Sequence, residues 1–331
     1  VLEFSRVLDL VAGHAAGRLG AERVRSRRPS GDSAWIAGEL APVAELLELF
    51  GTGEAVDAIA VPPLDAVLRR LRLDGSVLEG HDLAAVHRTL AAARLTAGEL
   101  KRIAAQAPRA AMLRAPVPEP ALEKRLAESV DDTGELLDSA SPDLLRARRE
   151  VHRARERLIK KLEALLRNGD PGAAVTVRNG RYVIPVRRDE RGRPDGIVHD
   201  ESSGGATLFV EPSVAIELGN ALRAAIAEAD REALRVLRDL TERLRPHASS
   251  IRDAHEMCVA LDDLVARARY ARAVGGMSPT IGPSGGELVL KHARHPILLG
   301  RGIAVVPFDL TLGERERTLI ISGPNTGGKT V

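Results

Sequence analysis

Apolar residues recur at every third or fourth position over most of this chain, a spacing that places them on one face of an α-helix. Helices are predicted within residues 1–50 and over 63–71, 80–94 and 97–106. A composition rich in Leu, Ala, Val, Arg and Glu is also typical of a mostly helical protein. The pattern therefore predicts a mainly α fold that opens with a helical core domain over residues 1–140.

The longest apolar stripes predict two long helices in the middle of the chain. The first covers 143–167, and Ser141-Pro142-Asp143 supplies its N-cap and a proline at the first helical position. The second begins near Pro212 and ends before Pro246. At 1.5 Å per residue the first helix would be about 37 Å long, and the pair is predicted to form one antiparallel arm. Beyond Pro246, apolar residues over 251–268 repeat with coiled-coil spacing.

A β-rich segment over 173–211 separates the two long helices. Asn179-Gly180 is the strongest short-range hairpin signal, and alternating apolar residues flank it on both sides. Pro185 in the return strand removes a ladder donor, which predicts an edge strand. Further strand signals within 196–199 and 207–210 complete a small module that the two helices would carry.

A phosphate-binding motif follows strand signals over 287–290, 303–306 and 319–321, which predict the first strands of an α/β domain. The motif is G-x-x-x-x-G-K-T, the Walker A pattern. Its glycines let backbone N–H groups approach phosphate, Lys329 would reach the β- and γ-phosphates, and Thr330 would bind Mg²⁺. A plain glycine-rich turn after a strand is the alternative. The predicted nucleotide-binding residues are Gly323, Pro324, Asn325, Thr326, Gly327, Gly328, Lys329 and Thr330.

Charge and cysteine content narrow the classes of function. The 331 residues hold 48 Lys and Arg against 46 Asp and Glu, so any nucleic-acid contact must be local. Aromatic residues make up only 2%, which argues against a single-strand binder that stacks bases. Cys258 is the single cysteine, and no signal peptide or transmembrane-length run is seen, so a cytoplasmic protein without a membrane partner is expected. His14, His81 and His87 lack metal-ligand spacing.

Arginines crowd the predicted hairpins of the β-rich segment. Residues 178–193 contain six basic side chains and two acidic ones, which favours phosphate contacts that do not depend on base sequence. The candidate nucleic-acid-binding residues are Arg178, Arg181, Arg187, Arg188, Arg191 and Arg193. The alternative is that they pair with nearby carboxylates, namely Asp189, Asp195, Asp200 and Glu201. A second basic group could touch phosphate, although a solvated helix end is favoured for its members, Arg23, Arg25, Arg27 and Arg28.

Several short motifs resemble those of the MutS family. Gly323–Thr330 is similar to the family's G-P-N-x-x-G-K-[S/T], Arg294-His295-Pro296 to its R-H-P, and Ala260-Leu261-Asp262 to its A-x-L-D. Val305–Asp309 resembles its V-P-N-D segment, with phenylalanine in place of the usual asparagine. The Asn-Thr-Gly-Gly-Lys-Thr-Val form of the first motif is similar to that of the bacterial MutS-two subfamily.

The same subfamily resemblance extends to its clamp region, at 177–186 and 203–212, so that it covers essentially the whole chain. It implies a helical core or lever domain, a long antiparallel helical arm that carries a small β-rich clamp, and the start of an ABC-type α/β ATPase domain. The implied divisions are the core or lever domain over 1–140, the outgoing arm helix over 141–172, the clamp over 173–211, the returning arm and lever helices over 212–275, and the ATPase segment over 276–331.

The resemblance also implies cofactors and a dimer. Full-length members bind ATP and Mg²⁺, form homodimers, and carry Walker B and signature elements and usually a Smr nuclease domain. The adenine pocket would lie near Val305, Val306 and Phe308. His295 could contact phosphate or base, or be a buried structural histidine. The chain stops one residue after Thr330, so we expect this polypeptide by itself not to hydrolyse ATP and to contain no catalytic residue.

Three functions follow from this interpretation. The first is the clamp and lever part of an ATP-dependent protein that binds branched or duplex DNA and controls recombination and repair. The second uses the same clamp on ribosomal RNA, as a sensor of collided ribosomes, because arginines contact A-form RNA and DNA backbones alike. The third, a structural chromosome-organising ATPase, is disfavoured because Walker A follows the coiled coil in this chain.

Overall fold

The computed structural model describes residues 3–166, 173–189, 194–282, 286–316 and 318–320. The α-helices are, in chain order, α1 (Phe4–Ala12), α2 (Arg18–Arg25), α3 (Ser33–Gly51), α4 (Asp65–Leu71), α5 (Gly80–Arg102), α6 (Pro108–Ala111), α7 (Pro120–Ala127), α8 (Pro142–Leu166), α9 (Ser213–Leu244), α10 (Ala248–Val274) and α11 (Pro296–Gly300). The strands are β1 (Thr176–Arg178), β2 (Arg181–Arg187), β3 (Gly196–Glu201), β4 (Thr207–Pro212), β5 (Leu288–Ala293) and β6 (Phe308–Leu312). The mainly α prediction is confirmed.

The chain divides into two compact units. The core unit comprises Val1–Arg72, Ala85–Glu123 and Pro246–Val331, and the arm unit comprises Leu73–Ala84 and Lys124–Arg245. These units reflect the density of packing, and the domain boundaries inferred from the sequence stay a prediction. None of the described helices is long and apolar enough to cross a membrane.

Helix α10 lies at the centre of the core unit. It packs against α1, α2 and α3, and its Cys258, Leu261 and Val265 share one apolar cluster with Leu46 and Leu100. Burial is not limited to the stripe predicted from the three-and-four spacing, because further buried residues lie around the helix: Met257, Val259, Ala260, Leu264 and Ala266. A two-stranded coiled coil buries only a narrow seam, so that interpretation does not fit α10.

The helices predicted separately over 80–94 and 97–106 are one helix, α5, which ends at Arg102. Gly98 lies inside it, where glycine costs only about 1 kcal/mol relative to alanine. The burial of Leu100 and Ile103 in the core unit outweighs that cost.

In the arm unit, α8 and α9 form the predicted antiparallel pair. Helix α8 begins where predicted, since the Ser141 hydroxyl accepts a hydrogen bond from the Asp143 backbone N–H at 3.1 Å. Its apolar stripe is buried at Leu158 and Leu162 against the Leu222 region of α9. The predicted end of this helix at 168–172 lies outside the described residues.

The β-rich segment forms a four-stranded antiparallel sheet in the order β1-β2-β4-β3. The predicted hairpin is present, with Arg178 opposite Arg181 across Asn179-Gly180. The edge-strand prediction for β2 is wrong for the strand as a whole, because β2 lies between β1 and β4. It is right locally at Pro185: β1 pairs only as far as Val183, so nothing requires an N–H donor from the proline on that side.

A second, two-stranded sheet pairs β5 with β6 in antiparallel orientation. The strand predicted over 303–306 is absent there, and β6 begins two residues later, at Phe308. Pro307 lacks the N–H that a ladder needs, which accounts for a strand that starts after it. Leu319 and Ile320 are irregular, and Ile321 lies outside the described residues.

Candidate nucleic-acid interface

Part of the predicted site lies outside the described residues. This applies to the nucleotide-binding segment Gly323–Thr330 and to Arg191 and Arg193. Their functions therefore stay predictions. Among the residues that the structure does describe, no group of three His, Cys, Asp or Glu side chains could hold a metal ion.

The residues predicted for the adenine pocket lie in and before β6. Val306 is 86% exposed and Phe308 is also exposed, whereas Val305 is half-buried. Phe308 pairs with Ala293 across the two-stranded sheet. His295 immediately precedes α11, and its Nδ1 is buried without a hydrogen-bond partner in the described part of the chain. Such a buried, unsatisfied ring nitrogen is uncommon in folded proteins.

Arg187 and Arg188 extend from the end of β2 into solvent, with side chains that are 71% and 58% exposed. Arg187 Nε donates to Asp189 Oδ1 at 3.2 Å, and this bond lowers the pKa of Asp189 below its usual value. Arg188 pairs with Glu201 and donates through Nε to the Gly205 carbonyl oxygen at 2.9 Å. Arg188 thus connects the end of β2 to the β3-β4 hairpin.

Arg178 lies at the other end of the β1-β2 hairpin and is tied to the sheet. Its Nε is 3.1 Å from Asp200 Oδ2. Its guanidinium carbon stands 4.4 Å from the centre of the Phe209 ring, within the range of a cation–π interaction. The side chain is therefore held against β3 and β4 of the sheet.

Arg181 differs from the other three because its ion pair is buried. Its side chain is 18% exposed and that of its partner Glu211 is 3% exposed, with Arg181 Nη1 3.0 Å from Glu211 Oε1. The other oxygen of Glu211 lies 2.8 Å from His199 Nε2. Arg181 Nη1 also donates to the side-chain oxygen of Asn220 at 3.1 Å. This network joins β2, β3, β4 and α9.

The pairing alternative thus describes the local contacts well. Asp189, Asp200 and Glu201 each hold one arginine, while Glu211 was not foreseen as a partner. Ion pairs exposed to solvent contribute little to stability, so they can open in favour of a phosphate. Pairing and phosphate contact are therefore compatible at Arg187 and Arg188, and nucleic-acid binding there stays a prediction.

Two arginines that the sequence did not single out lie beside Arg181. Arg155 of α8 and Arg223 of α9 line the same cavity, whose volume is about 70 Å³. No local pattern indicates this grouping, because the three arginines come from a strand and two helices that are distant in the sequence. One signal in the sequence was the excess of basic residues over 143–167, which contain nine Lys and Arg against four Asp and Glu.

The second basic group predicted from the sequence is engaged within the core unit. Arg23 pairs with Glu256, Arg25 Nε lies 2.8 Å from Asp9 Oδ1, and Arg27 contacts Asp263 and Glu39. Arg28 donates to the carbonyl oxygens of Arg25 and Arg27. These contacts with α1, α3, α10 and the local backbone account for the four arginines within the core unit, without a ligand.

The chain is similar along its whole length to bacterial proteins named Endonuclease MutS2. It is 40% identical to the protein of Gemmatimonas aurantiaca over 342 residues, 37% to that of Geobacillus thermodenitrificans over 346, and 36% to that of Thermomicrobium roseum over 348. The alignments include all of this chain but 42–44% of each relative, so the chain spans less than half the length of these proteins. No protein-family model matches the chain.

Proposed function

The chain belongs to the MutS2 branch of the MutS family, and from that premise we propose that it is the lever and clamp part of an ATP-dependent protein that binds DNA. The observation that supports the clamp is the arm unit, in which a four-stranded sheet packs on two long helices and carries solvent-exposed arginines. In this proposal the sheet contacts the phosphate backbone and does not read bases, as suits a protein that controls recombination and repair.

The chemistry of guanidinium groups supports the phosphate contact. Arginine forms paired, charge-assisted hydrogen bonds to phosphate oxygens, which are stronger than bonds between neutral groups. Arg187 and Arg188 bind Asp189, Glu201 and the Gly205 carbonyl, all of which belong to the sheet's own exposed turns and strand ends. Exchanging such a partner for a phosphate costs little, and release of counterions from the nucleic acid favours the exchange.

Nucleotide binding is a second part of the proposal. Gly323, Gly327 and Gly328 would let the backbone approach the phosphates of ATP, with Lys329 and Thr330 in the Walker A roles. ATP would supply the free energy that drives conformational changes in the lever domain and the clamp. Mg²⁺ would neutralise the charge of the ATP phosphates. Two further proposals concern the whole protein. It would have the endonuclease activity that the relatives' name states, and it would form a homodimer in the cytoplasm.

Charge reversal tests the clamp. The double variant Arg187→Glu/Arg188→Glu is compared with a control that makes the same charge change in the core unit, Arg72→Glu/Arg114→Glu. If the two arginines contact phosphates, the clamp variant will bind a duplex at least tenfold more weakly than the wild type. The negative slope of log K against log salt will also become shallower, by about 0.9 for each phosphate that is no longer neutralised. Unchanged affinity and slope relative to the wild type would contradict the clamp proposal.

Ribosome binding is the competing interpretation of the same arginines. Co-sedimentation of the wild type and both variants with stalled disomes, beside the duplex titration, separates the two. DNA clamping predicts that duplex binding is salt-sensitive and depends on the sheet arginines while disome binding is weak. The reverse ranking would support the ribosomal function instead.

A further inference from the structure

Two arginines of the arm unit share one neutral hydrogen-bond acceptor. Arg181 Nη1 and Arg223 Nη2 donate to the same side-chain oxygen of Asn220, at 3.1 and 3.2 Å. This geometry holds two like charges within about 6 Å of each other, where their repulsion is appreciable at a partly buried site. An amide oxygen carries no net charge and compensates neither cation.

A third guanidinium faces the same place. Arg155 lines the cavity with Arg181 and Arg223, and it forms no hydrogen bond or ion pair with any residue that the structure describes. Within those residues, Glu211 is the one carboxylate bonded to any of the three arginines, and it is shared with His199. The cluster therefore carries three guanidinium charges against one carboxylate.

The cavity has the size of a small oxyanion. Its volume of about 70 Å³ is several times the roughly 10–15 Å³ that one water needs on the same measure. That is space for the five heavy atoms of a phosphate group.

Gly219 allows α9 to approach the buried ion pair at this cavity. A Cβ there would lie 2.9 Å from Glu211 Oε1 and 3.4 Å from Arg181 Nη1. The absence of a side chain thus keeps the guanidinium at the cavity wall.

We propose that Arg155, Arg181 and Arg223 form an oxyanion pocket that binds a phosphate group. Arg181 is held in position by Glu211, while Arg155 and Arg223 are exposed and able to turn onto the ligand. The forked guanidinium geometry suits phosphate oxygens better than a lysine ammonium would. The phosphate comes from a nucleic-acid backbone, and to that extent this inference rests on the proposed function. The alternative source of the same group is free inorganic phosphate.

The test neutralises the two exposed arginines. Arg155→Gln/Arg223→Gln leaves the buried Arg181–Glu211 pair intact, so the fold is expected to persist, and an unchanged circular dichroism melt checks this. The matched control, Arg231→Gln/Arg243→Gln, removes two exposed charges elsewhere on α9. Two titrations are made on each protein, one with a DNA duplex over a range of salt concentrations and one with inorganic phosphate by calorimetry.

The pocket variant is expected to bind the duplex at least tenfold more weakly than the control. Its negative slope of log K against log salt should be shallower by about 0.9 for each phosphate that the pocket no longer neutralises. Loss of inorganic phosphate binding with unchanged duplex binding would support the pocket and assign it to free phosphate. If both titrations match the control, the pocket inference is overturned. The clamp proposal is tested separately. If the pocket variant binds like its control but Arg187→Glu/Arg188→Glu abolishes duplex binding in the same titrations, the pocket inference is wrong and the clamp proposal stands.

Discussion

Gly20 of α2 lies directly against Asp262 of α10. A Cβ on this glycine would stand 2.1 Å from Asp262 Oδ2 and 2.8 Å from its Cβ, closer than nonbonded atoms approach. The Asp262 carboxylate accepts hydrogen bonds from the backbone N–H groups of Ala16 and Gly17, at 2.7 and 2.9 Å, where α2 begins. Asp262 therefore attaches the start of α2 to the central helix of the core unit.

Gly20→Ala is expected to destabilise the core unit strongly. The clash includes the aspartate's Cβ, so rotation of the side chain cannot relieve it, and the helices must separate. Overpacking of this kind costs about 1–3 kcal/mol. Gly38→Ala in α3 is the matched control, since its Cβ would meet nothing within 4 Å, and there alanine should stabilise by about 0.4–1 kcal/mol. Urea denaturation followed by circular dichroism measures both, and equal stability of the two variants would rule out the clash.

Asp262→Asn should be destabilising, and more so at acid pH. An amide can accept only one of the two backbone bonds and leaves the other N–H unsatisfied, which costs about 1–3 kcal/mol. Burial raises the pKa of Asp262, against the opposing effect of the two amide bonds. A raised pKa in the folded state adds stability at low pH that is lost as the pH rises through that pKa.

The difference in unfolding free energy between wild type and Asp262→Asn should therefore be larger near pH 4 than at pH 7. Urea titrations at the two pH values measure it. A difference that grows toward pH 7 would mean that the hydrogen bonds to the carboxylate outweigh its burial.

Asp263→Asn should destabilise the core unit by about 3 kcal/mol, because removing one partner of a buried ion pair leaves uncompensated charge. Asp263 is almost wholly buried between two arginines, with Arg27 Nε at 3.0 Å and Arg267 Nη2 at 3.2 Å from its oxygens. Burial lowers the pKa of Arg267, but arginine stays charged at any ordinary pH. Asp253→Asn, which removes an exposed carboxylate from the same helix, is the control and should change the thermal midpoint little.

Cys258 should be unreactive in the folded protein. Burial raises the pKa of its thiol to about 11. At pH 8 roughly one thiol in a thousand would then be ionised, and only the thiolate is alkylated. Iodoacetamide should modify the native protein at least about 100-fold more slowly than the urea-unfolded chain. The variant Cys258→Ala/Ser30→Cys, with an exposed thiol, is expected to react quickly, and equally fast reaction of native Cys258 would show that the core unit opens.

The sequence predicted the elements whose signals are local. The Ser141 cap, the stripe of α8 and the Asn179-Gly180 turn are each encoded within a few residues, and each is present. Predictions were wrong where residues distant in the sequence determine how a segment is packed. The spacing over 251–268 is that of a coiled coil, but several helices surround α10 and it is buried on more than one face.

The same distinction between local signals and tertiary packing applies to the candidate site. The basic character of the β-rich segment could be read from composition, whereas the partner of each arginine could not. Arg181 was grouped with Arg187 and Arg188, yet only Arg181 is buried against a carboxylate, at Glu211. Burial depends on how β2 packs on α9, which no local pattern specifies.

The sequence by itself thus determined the family, the mainly helical class, the hairpin and the presence of a Walker A pattern, because each follows from residue types at short, regular spacing. The tertiary structure alone decided the contact of Gly20 with Asp262 and the grouping of Arg155, Arg181 and Arg223 around one cavity. The reason is physical. The Asp262 carboxylate accepts a hydrogen bond from the backbone N–H of Ala16, which is 246 positions away in the sequence, and only the packing of whole helices brings such residues into contact.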